Sequence, residues 1–151
     1  MSYPVIRQAV ATDIDVLVPL FDGYRQFYGC RSDVDGAREF LAARFANNES
    51  TIFIASLGEA VVGFAQLYPS FSSAAMARTY ILNDLFVSEN SRKRGAGRLL
   101  LEAAIEFARS REAVRLTLST ALDNYTAQAL YAGSGWKRDE QFMVYHFGLR
   151  N

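Results

Sequence analysis

Arg92-Lys93-Arg94-Gly95-Ala96-Gly97 decides the fold, because two runs of different periodicity meet there. Before it, Thr79 to Val87, with Ile81-Leu82-Asn83-Asp84-Leu85-Phe86-Val87 at its end, reads as a strand. After it, Arg98-Leu99-Leu100-Leu101-Glu102-Ala103-Ala104-Ile105-Glu106-Phe107-Ala108-Arg109 reads as an amphipathic helix. A strand feeding a basic, glycine-rich turn at a helix start is an anion site. The N–H groups of the first helical turn have no acceptor within the helix, and the helix dipole adds partial positive charge. Glycine lets a phosphate come close to that backbone. Two familiar nucleotide loops are excluded. No Gly-x4-Gly-Lys-Ser/Thr run is present. Leu100 stands where a Gly-x-Gly-x-x-Gly fingerprint needs its third glycine.

The rest of the chain sets the bounds. Its 151 residues suit one domain, 1–151, with a real core. Half of the residues are hydrophobic and 21% are charged, a globular rather than disordered balance. Sixteen basic residues face sixteen acidic ones, which argues against a nucleic-acid or membrane-surface binder. Met1-Ser2-Tyr3-Pro4 carries no signal-peptide pattern, and no apolar run approaches the roughly 20 residues of a membrane span. Cys30 is the single cysteine, so a cytoplasmic location is expected. With His146 the single histidine, no His/Cys metal site can be built.

Outward from the glycine turn, the pattern predicts β-α-α-β-β-β-α-β-α-β-β, an α/β sheet flanked by helices. Val5 to Val10 reads as the first strand. Thr12 caps the helix that follows, with Asp15 as the acid of a capping box. Ile14, Leu17, Leu20, Phe21, Tyr24, Phe27 and Tyr28 form its apolar stripe, and Gly29 ends it. Ser32 or Asp33 caps a second helix. Thr51 to Leu57 and Ala60 to Tyr68 form a hairpin through Gly58-Glu59. Pro69 to Ala77 reads as a small-residue loop. Ala113 to Thr120 is a strand, Asn124 to Gly133 a short helix, and Trp136 to Asp139 and Phe142 to Leu149 are closing strands.

A second motif follows the basic turn by about thirty residues: Asn124-Tyr125-Thr126-Ala127-Gln128-Ala129-Leu130-Tyr131-Ala132-Gly133-Ser134-Gly135-Trp136. Asn124 and Tyr131 lie two helical turns apart on one face, and Ala127 keeps that face low. With both motifs in order, the chain resembles the GCN5-related N-acetyltransferase (GNAT) superfamily. Arg92, Gly95 and Gly97 match its acetyl-CoA pyrophosphate loop. Asn124, Ala127, Leu130, Tyr131, Gly135 and Trp136 match its second signature. Tyr-Pro-Ser-Phe-Ser-Ser at 68–73 and Leu-Asn-Asp-Leu-Phe-Val at 82–87 are nearest to its histone and polyamine acetyltransferase-like branch.

The resemblance implies a mixed, mostly antiparallel sheet splayed at the fourth strand. Acetyl-CoA would lie there against Leu85, Phe86 and Val87, its pyrophosphate on Arg92, Lys93, Arg94, Gly95, Ala96, Gly97 and Arg98, its arm on Asn124 and Ala127. It implies transfer of acetyl directly to a primary amine of a small molecule or peptide, with no metal. Tyr131 would return a proton to the CoA thiolate; a phenol near pKa of about 10 holds its proton at neutral pH while a thiol is near about 8.5. The base is open. Related enzymes carry Leu-Glu-Asp where this chain has Leu82-Asn83-Asp84. Asn83 is no base. Asp84 can be one, directly or through a water, yet strand alternation turns it away from the face of Asn83 unless a bulge intervenes. Tyr28 and Asn83 are candidate acceptor-site residues. Tyr24, Phe27 and the stretch Leu67 to Ser73 border that site, and Asp33 and Asp35 either attract a cation or cap a helix. A homodimer through Phe142 to Phe147 is expected by analogy. The alternatives are a CoA-binding regulatory module without transferase activity, and a protein or histone lysine acetyltransferase.

Overall fold

The computed structural model describes residues 3–150, so Met1, Ser2 and Asn151, at the ends of the expected domain and signal-free start, lie outside the described residues. The chain divides after Ser119 into two units. The first holds β1 (Val5–Gln8), α1 (Ile14–Phe27), α2 (Val34–Ala46), β2 (Thr51–Leu57), β3 (Ala60–Ser72), β4 (Ala77–Val87), α3 (Ala96–Ser110) and β5 (Arg115–Thr117). Its five strands form one sheet in the order β1-β2-β3-β4-β5. All neighbours are antiparallel except β4 and β5, which are parallel because α3 carries the chain back between them.

The two faces of the sheet are covered by different helices. Leu17, Val18, Leu20 and Phe21 of α1 and Ala37 and Leu41 of α2 pack with Ile52, Ile54 and Phe64. On the other face Phe107 of α3 sets its ring edge against Phe53 at 5.8 Å and Tyr80 at 5.3 Å. Leu100, Leu101, Ala104 and Ala108 of α3 are buried as well. Burying a leucine contributes about 1.5–3 kcal/mol, so the stripe on α3 is what holds the glycine turn at its head against the sheet.

Three local expectations are corrected. Thr12 lies inside a 3-10 turn, Ala11–Asp13, and Asp13, not Thr12, is the residue before α1: its carboxylate accepts the Val10 N–H at 2.7 Å and two Arg7 guanidinium N–H groups at 2.9 and 2.8 Å. Asp15 is drawn off to Arg38 of α2, at 2.7 Å, and takes no part in a cap. The stretch from Pro69 is strand rather than loop, since β3 runs to Ser72 and only residues 73–76 turn. Pairing with β2 ends at Leu67, so Pro69 lies where β3 has one neighbour, a position that tolerates a missing donor. Asp33 does cap α2, accepting the Gly36 N–H at 2.9 Å.

The splay expected at the fourth strand is present in the ladder. β5 pairs with β4 only at Thr79, Tyr80 and Ile81, so Leu82–Val87 have β3 alone beside them in the sheet. Gly63 opposite Val87 allows this part of β4 to come close: a Cβ there would meet the Phe86 carbonyl oxygen at 2.8 Å.

The second unit holds α4 (Tyr125–Gly133), capped by Asn124, whose side-chain oxygen accepts the Ala127 N–H at 3.2 Å. The two closing strands expected at Trp136–Asp139 and Phe142–Leu149 do not form: among the described residues no strand follows Thr117. Phe142, Met143, Val144, Tyr145, Phe147 and Leu149 are exposed. Alternating apolar residues make a strand only when another strand supplies the hydrogen bonds, and a unit with one nine-residue helix offers none.

Candidate active site

Strand β4 changes face in its middle. Tyr80 and Leu82 lie on the α3 face, and Leu82 pairs with Leu67. Asp84 pairs with Gln66, and Phe86 with Phe64, which belongs to the α1 and α2 core. Asn83 is the extra residue between the two registers, a β-bulge. An unbroken strand would send Asp84 towards α3. The bulge sends it towards α1, so the alternation that separates Asp84 from its neighbour in sequence is broken at that step.

Asp84 is 2% exposed. Its carboxylate accepts Gln66 Nε2 at 2.5 Å and Asn83 Nδ2 at 2.7 Å. The Tyr24 hydroxyl also interacts with it, and donates to the Asn83 carbonyl at 3.1 Å. Burial pushes the Asp84 carboxyl above the usual carboxylate range; the bonds from Gln66, Asn83 and Tyr24 oppose that push without cancelling it. The Tyr24 and Tyr68 hydroxyls are raised above the ordinary phenol range, first by burial and then by the charge of Asp84. Two tyrosines and a desolvated carboxylate thus share one electrostatic environment.

Aromatic rings wall this group. Tyr24 meets Tyr28 edge-on at 5.1 Å and Phe86 at 6.3 Å, and Phe27 lies 6.5 Å from Phe86. Tyr28 and Asn83, the expected acceptor-site residues, therefore come together with Asp84. Tyr24 and Tyr68, read from sequence only as a border, belong to the centre. Gln66 was missed; its signal is a lone amide in the apolar run Val61-Val62-Gly63-Phe64-Ala65-Gln66-Leu67, where a buried polar group needs a partner. Asp33 is used as a helix cap.

The basic turn has the shape its sequence predicts. Lys93 and Gly95 take φ of 67° and 87°, and Gly95 is the N-cap of α3. The first bond of α3 runs from Leu99 N–H to Gly95 O at 3.1 Å, so the N–H groups of Ala96, Gly97 and Arg98 have no acceptor within the helix. A Cβ on Gly95 would meet nothing within 4 Å, so that backbone is open to a ligand. The arginines divide their work. Arg92 Nε donates to the Val87 carbonyl at 2.9 Å, with its guanidinium 5.6 Å from the Phe27 ring centre and 5.7 Å from that of Phe86. Arg98 pairs with Glu102 at 3.6 Å. Leu85 and Phe86 lie on the part of β4 that β5 does not cover. In the second unit, Asn124 caps α4, Ala127 supplies the capped N–H, and the Tyr131 ring packs 6.1 Å from Trp136.

Residues 17–136 match the model of the acetyltransferase (GNAT) family. An uncharacterised N-acetyltransferase of Bacillus subtilis is 48% identical over 140 residues, covering 93% of this chain and 94% of its own. The crystal structure of a probable acetyltransferase superposes with a TM-score of 0.92 at 40% identity, covering 97% of this chain and 99% of that one. An aminoglycoside N-acetyltransferase in complex with CoA shares the fold, with a TM-score of 0.80 at 19% identity over 97% of this chain and 96% of its own. The chain belongs to the GNAT acetyltransferase family and is an acetyl-CoA-dependent N-acetyltransferase.

Proposed function

We propose that this protein, as one N-acetyltransferase domain over 1–151, moves acetyl from acetyl-CoA directly to a primary amine of a small molecule or peptide, with Asp84 as the base. The bulge at Asn83 carries the reading, because it takes Asp84 to the face of Tyr24 and Gln66. An alkylamine near pKa of about 10 reaches the site protonated and must lose a proton before it attacks. Asp84, buried and raised, accepts it through the Tyr24 hydroxyl or a water, since its own carboxylate is not open to solvent. The amine nitrogen then bonds to the acyl carbon, the carbon–sulfur bond breaks, Tyr131 protonates the departing thiolate, and the second proton shed by the nitrogen as the amide forms passes to solvent, from which the Tyr131 phenol is restored.

The cofactor reading rests on the N–H groups of Ala96, Gly97 and Arg98 and the open backbone at Gly95, which suit a pyrophosphate. Lys93 and Arg94 add charge to it. Leu85 and Phe86 offer strand backbone to the pantetheine arm; for Asn124 and Ala127 the cofactor role rests on the family signature they match. Val87 and Arg92 belong to the same cofactor reading, with Arg92 Nε donating to the Val87 carbonyl at 2.9 Å. Tyr28 and Asn83 line the acceptor side. The exposed, unpaired Cys30 suits a cytoplasmic protein. The exposed row from Phe142 to Phe147 suits a homodimer, which sedimentation at micromolar protein tests.

Thiol release from acetyl-CoA, measured across monoamines, polyamines, amino acids and peptides, tests the whole reading. Turnover with at least one small amine is expected, reduced by Tyr131→Phe and by Asp84→Asn. Silence with every small amine, alongside tight CoA binding, would favour the regulatory module.

A further inference from the structure

A second feature of the first unit lies outside this chemistry. The start of β4 borders a cavity of about 390 Å3 whose wall includes Ser50, Thr51, Arg78, Tyr80, Phe107 and Arg111. Arg78 is six residues before Asp84 on the same strand, or about 20 Å at 3.3 Å per residue. Phe107 lies eleven residues after Ala96 on α3, or about 16 Å from the glycine turn. The cavity is therefore distinct from the basic turn and from the Asp84 cluster.

Its charge is one-sided. Both guanidinium groups are held by rings: Arg78 lies 5.1 Å from the ring centre of Phe71 and 5.9 Å from that of Tyr80, and Arg111 lies 5.1 Å from that of Phe107. Tyr80 and Phe107 touch each other edge-on at 5.3 Å, so the two cations flank one aromatic pair. Among the described residues no carboxylate lines the cavity. Neither arginine is in an ion pair among the described residues. Glu49, next to Ser50 in sequence, is held by Arg44 at 3.2 Å, and Glu112, next to Arg111, is not part of the wall. The negative end of α3 is muted as well, since Ser110 Oγ donates to the Phe107 carbonyl and the N–H groups of Arg111 and Ala113 to that of Ala108. Two cations pre-set on one concave surface, with the hydroxyl-bearing Ser50, Thr51 and Tyr80 and no acid, are what an oxyanion needs. The volume exceeds that of a bare ion: it equals about a dozen waters at ~30 Å3 each, and falls in the ~300–1,000 Å3 range of small-molecule sites.

We propose that this cavity binds a small organic oxyanion, a phosphate monoester or a polycarboxylate, with its charged head at Arg78 and Arg111 and its body against Tyr80 and Phe107. Thermal-shift and calorimetric titrations of the full chain with AMP, citrate and inorganic phosphate test it, each at constant ionic strength set with chloride and repeated in saturating CoA. Saturable binding of AMP or citrate that persists with CoA present is expected, with inorganic phosphate weaker than the organic ligand. AMP against citrate separates the phosphate source from the carboxylate source. Arg111→Gln, at an exposed position, and Arg78→Gln should each weaken that binding at least tenfold and leave CoA affinity unchanged. If Arg78→Gln proves unstable, Arg111→Gln and Thr51→Val carry the test. No saturable binding by any probe, binding equal in the variants, or binding abolished by CoA would overturn the proposal.

Discussion

Asp22 and Asp84 are both buried carboxylates, 5% and 2% exposed, and their pKa values are displaced in opposite directions. Asp22 on α1 accepts the Ser32 hydroxyl at 2.7 Å, the Asp33 N–H at 2.8 Å and Gln26 Nε2 at 2.9 Å. Those bonds outweigh its desolvation and hold it below the usual carboxylate range. Asp84 has hydrogen bonds too, yet desolvation between sheet and helix wins and raises it. Burial alone therefore does not mark a functional acid. Asp22 ties the start of α2 to α1 with its charged form favoured by three donors, whereas burial shifts the Asp84 carboxyl towards its neutral form.

The difference can be broken in several ways. The largest effect is expected from Asp84→Asn, which should lower kcat/KM by about 10²–10⁴, the usual worth of a general base, with CoA affinity unchanged. Gln66 Oε1 is buried without a partner, so its amide can turn to receive the new amide, and the variant should fold. Full activity in this variant, read by thiol release, would remove Asp84 from the chemistry. Tyr24→Phe comes next: kcat should fall about tenfold or more, as for a lost proton-transfer partner, and the basic-limb pH profile should move while KM for acetyl-CoA stays put. An unchanged profile would make Tyr24 a packing residue only.

Asp22→Ala should act on stability instead. Three donors lose their acceptor, and denaturant unfolding should report a loss of about 1–3 kcal/mol with CoA affinity retained. The pH dependence of stability separates the two acids by sign. Asp22 is lowered, so its contribution is present above the ordinary carboxylate pKa of about 4 and lost as pH falls through its lower folded value. Asp13, held at about 2 by Arg7, behaves likewise. Asp84 is raised, so its contribution is full below about 4 and lost as pH rises through its elevated folded value. Melting temperatures from pH 3 to pH 8 should show both slopes, and Asp84→Asn should abolish the second alone. The smallest effect is expected at Asn124→Ala, where a lost helix cap costs about 1 kcal/mol, read by chemical denaturation.

The legibility of this chain follows the range of the interactions involved. Gly95 at φ 87° opening α3, Asp33 capping α2 and Asn124 capping α4 are contacts within three residues, and residue type is sufficient to read them. The Asp15 cap failed because Arg38, twenty-three residues on, claimed that carboxylate. The closing strands failed because a strand needs a partner that its own alternation cannot supply.

The amino-acid sequence alone identified the family and the basic turn at the head of α3. The spacing of Arg92, Gly95 and Gly97 before an amphipathic helix is a local code for free N–H groups, and Asn124 to Trp136 completes the family signature. Only the tertiary structure decided which way Asp84 points. The register slip at Asn83 comes from β3 pairing across the sheet, Leu67 with Leu82 and Gln66 with Asp84, and one inserted residue moves a carboxylate from the α3 face to the α1 face.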